Sequence, residues 1–153
     1  MHIIIMRHGA ATFLGADRIL TPEGIDEAHS TALKLTSVYD INRIVTSPKT
    51  RAFDTAKIVL EHIHNDVPFE ELKDLTPSGN ASAVIDYIMA ISQADDTVLL
   101  VSHIPQVENL ACELLKNSNF PPFVTASALI VKIEHDKAHL VSFLSPSSEI
   151  IYT

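Results

Sequence analysis

Two histidines and two arginines follow short apolar runs in this chain. Arg7 and His8 come directly after the first run, Arg51 comes shortly after the second, and His103 comes directly after the third. Arginine offers forked N–H donors that match the oxygens of a phosphate, and a neutral imidazole is a nucleophile. With little acid among them, these four side chains would suit a tetrahedral anion. The sequence therefore predicts a phosphate site.

The three apolar runs are typical of strands that are buried on both faces of a parallel sheet. They are HIIIM at 2–6, the segment around Ile44 and Val45, and TVLLVS at 97–102. In an open α/β sheet, ligands bind beyond the carboxyl ends of the strands. Because all four candidate side chains follow such ends, we expect them to gather at one edge of the sheet.

Helical patterns alternate with these runs. A Thr-Pro pair at 21–22 and a Ser-Pro pair at 47–48 each predict a helix that begins with a capping hydroxyl and a proline. Further helical spacing occurs at 84–91 and 107–114. The helix after the Ser-Pro pair would be apolar on the face formed by Phe53, Ala56, Leu60 and Ile63. This alternation predicts a three-layer α/β/α sandwich with a mostly parallel central sheet.

The last part of the chain has a different pattern. Residues 127–144 predict two strands around a turn at Asp136 and Lys137, which would form an antiparallel hairpin at the sheet edge. The chain has 153 residues, of which 46% are hydrophobic, and this is enough for one substantial core. We therefore expect a single domain over residues 1–153, acting as a monomer.

Composition argues against several classes of partner. The chain carries 19 acidic and 11 basic residues, and its net charge of -8 disfavours nucleic acid and anionic membranes. The first apolar run is too short for a signal peptide or a membrane span. Cys112 is the only cysteine, so there is no internal disulfide, and His62 and His64 are two residues apart on a predicted helix and would not share a metal. We expect a cytoplasmic protein without a metal site.

Four ordered motifs resemble those of the histidine phosphatase superfamily, the phosphoglycerate-mutase-like proteins. They are MRHGA at 6–10, LTPEG at 20–24, TSPKTRAFDTA at 46–56 and VSHIP at 101–105. Arg-His-Gly alone is common by chance, but four motifs in order at predicted strand ends are a specific signal. The resemblance covers the chain from its start to about residue 105 and implies a phosphoglycerate-mutase-like fold.

Within that superfamily, the chain is more similar to the short bacterial phosphohistidine phosphatases of the SixA type. This similarity depends on the small size of the chain, on ELKDLTPSGN at 71–80, and on SALI at 127–130 followed by the terminal hairpin. The resemblance implies that His8 is the nucleophile and forms a phosphohistidine, which water then hydrolyses. It also implies that Arg7, Arg51 and His103 hold the phosphoryl oxygens, and it implies no cofactor.

The predicted substrate depends on how the leaving group is protonated. Larger relatives are understood to carry a carboxylic acid for phosphate esters on an inserted segment, whereas here only 51 residues lie between Arg51 and His103. Glu70, Glu71 and Asp74 are the carboxylates that could reach the site. Imidazole is a better leaving group than an alkoxide and needs an acid less. We therefore expect the substrate to be phosphohistidine on a histidine-phosphotransfer domain of a signalling relay.

Two other functions are compatible with the same residues. One is a small-molecule phosphomonoesterase or mutase that uses His8 in the same way. The other is a non-catalytic module that binds a phosphorylated ligand without turnover. The presence of the candidate nucleophile favours an enzyme over the binding module, because a binder could dispense with it.

Overall fold

The computed structural model describes all residues 1–153, which form nine strands and four α-helices. The strands are β1 (His2–Arg7), β2 (Ala11–Leu14), β3 (Asp17–Leu20), β4 (Arg43–Thr46), β5 (Phe69–Glu71), β6 (Thr97–Ser102), β7 (Ala128–Glu134), β8 (Lys137–Leu144) and β9 (Glu149–Ile151). The helices are α1 (Pro22–Val38), α2 (Thr50–Glu61), α3 (Ala81–Ile91) and α4 (Gln106–Leu115), and a short 3₁₀ helix covers Lys73–Leu75. None of the helices has the length and apolar character that crossing a membrane would require.

One seven-stranded sheet forms the centre of the molecule, in the order β5-β4-β6-β1-β7-β8-β9. The first four strands of this order are parallel to one another, and the last three are added in antiparallel fashion. The predicted α/β class is confirmed, with its parallel sheet and C-terminal antiparallel hairpin. Strand β9, which was not predicted, extends the hairpin by three residues.

Helices cover both faces of the sheet, and β1 shows how one strand supplies two cores. Ile3 and Ile5 pack with the side chains of α3 and α4, whereas Ile4 and Met6 pack with those of α1 and α2. All four side chains are fully buried. Successive side chains of a strand point to opposite faces, so the uninterrupted apolar run is what a central strand between two helical layers requires.

The two predicted helix starts have different outcomes. Thr21 caps α1 as expected, because its hydroxyl oxygen accepts a hydrogen bond from the backbone N–H of Gly24. The second prediction is wrong: α2 begins at Thr50, and its N-cap, Lys49, makes no side-chain capping bond. The hydroxyl of Ser47 is instead engaged with a side chain of the candidate site described below.

The predicted apolar face of α2 is confirmed in part: Ala56 is buried, Leu60 and Ile63 pack partly buried against one core, and Phe53 is half-buried. The residues that α2 buries are Ala52, Thr55, Ala56, Ile58 and Val59. Ile63 lies beyond the end of the helix at Glu61. Of the residues that α2 buries, Ala52, Ala56 and Val59 pack in the core with Ile4 and Met6 of β1.

Two tight turns depend on left-handed backbone. The β7–β8 turn is at His135 and Asp136, one residue before the predicted position, and their φ angles are 52° and 61°. A two-residue hairpin of this kind needs positive φ at both central residues, which Asp and His tolerate better than most. A second hairpin, β2–β3, was not predicted and turns at Gly15 with φ 63°.

Candidate active site

His8 lies just beyond the carboxyl end of β1, and its backbone is held from two sides. Its N–H donates to Ser102 O at 3.1 Å, and its carbonyl accepts from Ala126 N at 2.9 Å. The imidazole is 4% exposed, and its Nδ1 lies 2.6 Å from Gly9 O. Because a carbonyl oxygen only accepts, Nδ1 carries the proton in the neutral ring. Nε2 is therefore the nitrogen with a free lone pair.

Gly9 lets the loop after β1 approach the start of α1 closely. A Cβ atom at this position would lie 2.5 Å from Gly24 O, closer than real contacts allow. The N–H of Gly9 donates to Thr55 Oγ1 at 3.1 Å, and that hydroxyl donates to Arg51 O at 2.8 Å. The loop that carries His8 is thereby joined to both α1 and α2.

His103 lies beyond the carboxyl end of β6 and is 1% exposed. Its ring centroid is 5.1 Å from that of His8. The Nε2 of His103 is 2.8 Å from Ser47 Oγ, and the same oxygen accepts from Lys49 N at 3.2 Å. The hydroxyl of Ser47 can donate to Nε2, and in that tautomer the proton of the neutral ring is on Nδ1. That Nδ1 is buried without a protein partner, so it is available to a ligand.

Buried N–H donors without a protein partner are concentrated here. Only five buried side-chain nitrogen or oxygen atoms in the chain lack a hydrogen-bond partner, and four of them are the Nε atoms of Arg7, Arg18 and Arg51 and the Nδ1 of His103. Buried polar groups normally have partners, so donors left over in one place indicate where an anion binds. Nη1 of Arg7 donates at 3.0 Å to Phe123 O, which anchors that side chain.

Arg18 belongs to this site, and the sequence reasoning missed it. It lies on the β2–β3 hairpin, and its positive charge contributes to lowering the pKa values of His8 and His103. The neighbouring Asp17 accepts a hydrogen bond of 2.6 Å from Thr50 Oγ1, which ties the hairpin to the start of α2. The available signal was an arginine two residues before the second motif, and no recognisable strand pattern surrounds it.

Burial and nearby cations keep both site histidines neutral. Burial lowers the pKa of His8 to about 4, against the opposing hydrogen bond to Gly9, and the charges of Arg51, Arg7 and Arg18 add to the lowering. Burial, together with Arg51 and other neighbouring groups, lowers the pKa of His103 to about 3. Burial and then Arg18 also lower the pKa values of Arg7 and Arg51. The positive charge of the site therefore comes from guanidinium groups.

The three carboxylates considered from the sequence each have different contacts. Both oxygens of Glu70 accept from the hydroxyl of Tyr87, and one lies 3.6 Å from a guanidinium nitrogen of Arg43. Asp74 accepts a backbone N–H bond just before α3, and Glu71 is exposed at the end of β5. No carboxylate is hydrogen-bonded to either site histidine. The segment between α2 and β6 adds β5, the 3₁₀ helix and α3, with no inserted lid.

A second histidine pair lies elsewhere and is not part of this site. The Nδ1 of His29 is 2.9 Å from the Nε2 of His62, and Glu61 is 4.0 Å from His29. His62 thus has a partner on α1 that its sequence context did not reveal. No group of three or more His, Cys, Asp or Glu side chains in the structure is arranged to hold a metal ion.

The four residues singled out from the sequence are thus brought together at one edge of the sheet. Arg7 and His8 come from β1 and its loop, Arg51 from the first turn of α2, and His103 from the end of β6. The structure shows only that these side chains lie together. Their catalytic roles stay predictions. The arrangement can bind a tetrahedral oxyanion beside a neutral imidazole nucleophile.

Comparison with known proteins identifies the same superfamily that the sequence motifs resemble. Residues 3–76 match the family model of the histidine phosphatase superfamily (branch 1). The chain is 34% identical over 140 residues to the phosphohistidine phosphatase SixA of Escherichia coli strain K12, covering 88% of this chain and 86% of that protein. It is 30% identical over 167 residues to a phosphohistidine phosphatase SixA homolog of Haemophilus influenzae, covering 99% of each.

A solved structure extends this similarity to three dimensions. The protein histidine phosphatase SixA complexed with tungstate matches with a TM-score of 0.87 and 32% sequence identity, covering 95% of this chain and 97% of that chain. The likeness therefore spans the whole sandwich, including the C-terminal hairpin that lies outside the family-model match.

Proposed function

This chain belongs to the histidine phosphatase superfamily, and from that premise we propose that it is a phosphohistidine phosphatase in which His8 accepts the phosphoryl group. Its proposed substrate is phosphohistidine on a histidine-phosphotransfer domain of a signalling relay, in the cytoplasm. The observation that carries the proposal is the neutral His8, with its proton fixed on Nδ1, beside unpartnered donors from three arginines and His103.

The reaction divides into two transfers at phosphorus. In the first, Nε2 of His8 attacks phosphorus, the bond between phosphorus and the substrate imidazole breaks, and the leaving ring takes a proton from solvent. In the second, water attacks the phosphorylated His8, the Nε2–phosphorus bond breaks, and phosphate leaves with the proton balance restored by solvent. The hydrogen bond from Nδ1 to Gly9 persists through both steps and orients the ring.

The guanidinium groups and His103 stabilise the charge on the transferred group. Phosphoryl transfer spreads negative charge over the equatorial oxygens, and donors fixed in advance at those oxygens lower the barrier. When Ser47 donates to Nε2 of His103, the Nδ1 proton of that ring is one such donor. Tungstate is a tetrahedral oxyanion like phosphate, and the similar SixA structure is complexed with it, which supports an oxyanion ligand here.

The choice of phosphohistidine over a phosphate ester has two supports. The Escherichia coli and Haemophilus influenzae relatives carry phosphohistidine phosphatase names. In this chain no carboxylate is hydrogen-bonded to a site histidine, and Glu70 is committed to Tyr87 and Arg43. An ester needs an acid for its alkoxide leaving group more than phosphohistidine does, so the site suits the latter.

The test compares two substrates and two variants. We expect the protein to release phosphate from a histidine-phosphotransfer domain phosphorylated with phosphoramidate at a higher kcat/KM than from glycerol phosphate, an ester whose alkoxide leaving group needs an acid. His8→Ala should abolish both reactions, whereas His139→Ala, at an exposed histidine on β8, should leave both unchanged. Faster hydrolysis of the ester would favour the phosphomonoesterase, and substantial turnover by His8→Ala would refute the nucleophile.

A further inference from the structure

Several exposed apolar side chains contact a residue of the site or lie next in the chain to residues that contact or form it. Phe13 and Leu14, at the end of β2, are 73% and 66% exposed. Val124 is 50% exposed and follows Phe123, whose carbonyl holds Arg7, and Ile104 is 37% exposed and follows His103. We call Phe13, Leu14, Ile104 and Val124 the apolar collar. Apolar groups clustered beside a polar site are typical of surfaces that bind another molecule.

The hairpin that carries half of the collar is anchored on the fold. The guanidinium carbon of Arg18 lies 5.5 Å from the ring centroid of Phe13, so the collar is continuous with the anion site. Beneath the hairpin, Leu20 packs with Ala28 and Ile58 of α1 and α2. Because Asp17 is bonded to Thr50 and Leu20 packs on two helices, the hairpin is anchored and presents its apolar tip beside Arg18.

The other flank of the entrance is polar and basic. An open cavity of about 640 Å³ adjoins Ser47 and is lined by Pro48, Lys49, Glu71, Lys73 and Thr76. Together with Arg7, Arg18 and Arg51, the two lysines bring five of the 11 basic residues of the chain to this edge, although the net charge is -8. Such a local concentration of positive charge favours an acidic partner surface.

We propose that the apolar collar and the two lysines form the docking surface for the protein that carries the phosphohistidine. The partner places its phosphorylated histidine among the arginines, apolar side chains against the collar, and acidic side chains towards Lys49 and Lys73. Free phosphohistidine fills only the anion site and leaves the collar in water. This inference rests on the proposed function and adds the surface by which a protein substrate is recognised.

The test uses two double variants and two substrates. Leu14→Ser with Val124→Ser removes two exposed side chains of the collar and keeps Phe13, which contacts Arg18. The matched control, Leu33→Ser with Val38→Ser, changes side chains of 62% and 69% exposure on α1. The substrates are free phosphohistidine and a histidine-phosphotransfer domain phosphorylated with phosphoramidate. Thermal unfolding midpoints of all variants verify that they are folded.

We expect the collar variant to lose about tenfold in kcat/KM for the protein substrate, the size of effect that interface anchors produce. Its kcat/KM for free phosphohistidine should be unchanged, and the control pair should affect neither substrate. Equal kcat/KM for the protein substrate in wild type and collar variant would overturn the docking surface and leave the proposed function standing.

Other outcomes separate the two proposals. If the wild type hydrolyses free phosphohistidine but does not act on the phosphorylated domain, the protein substrate and its docking surface both fail. If the wild type is a dimer and the collar variant is a monomer, a second copy of the chain covers the collar, and the docking proposal is refuted. Sedimentation of both proteins distinguishes this case.

Discussion

At the level of single residues, the site depends on neutral imidazoles held beside three guanidinium groups. Burial and the neighbouring arginines lower the pKa values of His8 and His103 to about 4 and about 3. A lone pair on Nε2 of His8 is therefore available at neutral pH, while the arginines supply the charge that attracts the phosphoryl group. Nucleophile and electrophile are drawn together without protonation of the nucleophile.

Arg18 provides the first prediction at this scale. Replacing Arg18 with Ala should lower kcat/KM for free phosphohistidine by about 100-fold, because a fixed donor to the charged transition state is lost. Arg43→Ala is the matched control: it removes an arginine that pairs with Glu70 away from the histidines, and it should stay near wild type. Steady-state kinetics of phosphate release measure both, and an Arg18→Ala variant within threefold of wild type would exclude the role.

The residues of the site differ in how visible they are in the sequence. Arg7, His8 and His103 directly follow buried strands, and the strand-end rule brings them to one edge. Ser47 was interpreted as a helix cap because Ser-Pro is typical of helix starts, but its hydroxyl orients His103 instead. Arg18 follows no buried strand, so only tertiary packing reveals it.

At the level of elements, the loop after β1 controls the orientation of the His8 side chain. The substitution Gly9→Ala tests this role of the loop. Gly9→Ala would bring a Cβ atom to 2.5 Å from Gly24 O, so the loop must move away from α1. We expect kcat to fall at least about tenfold and the free energy of unfolding to fall by roughly 1–3 kcal/mol, as for other overpacked positions. Steady-state kinetics and urea unfolding measure the two quantities.

Gly15→Ala is the control for this prediction. Its Cβ atom would meet no atom within 4 Å, although φ is +63°. The strained backbone should cost about 1 kcal/mol of stability. Activity on free phosphohistidine should be retained, because the substitution does not alter the loop that carries His8. If the two variants lose the same activity, close packing at Gly9 is not what orients His8.

The elements that were predicted correctly from the sequence are those that form the hydrophobic core. Strands β1 and β6 are uninterrupted apolar runs, and their burial between two helical layers produces that pattern. Strands β2, β3, β5 and β9 have only three or four residues each and are largely exposed or half-buried. So short a segment shows no periodicity, and pairing with neighbours decides its structure. The boundaries of α2 were wrong for a local reason, the engagement of Ser47.

At the level of the whole molecule, the neutral buried histidines link stability to pH. A histidine has a pKa near 6.5 when unfolded, whereas that of His8 is about 4 in the fold. Between these values the unfolded chain binds more protons, so the stability present above pH 6.5 is lost as the pH falls towards 4. His8 alone contributes on the order of 3 kcal/mol to this loss.

Urea unfolding at several pH values between 7 and 4 measures this dependence. We expect the free energy of unfolding to fall steadily over that range in the wild type and less steeply in His8→Asn, which has no group to protonate at that position. Identical slopes in the two proteins would show that His8 is as easily protonated in the fold as in the unfolded chain.

The separate hairpin β2–β3 has an evolutionary consequence. It shares no hydrogen bond ladder with the seven-stranded sheet, yet it carries Arg18 and the side chains of Phe13 and Leu14. Insertions or exchanges there can alter which molecules reach His8 without disturbing either hydrophobic layer. Related proteins can therefore acquire new specificities by remodelling this one ribbon while the scaffold and its nucleophile remain the same.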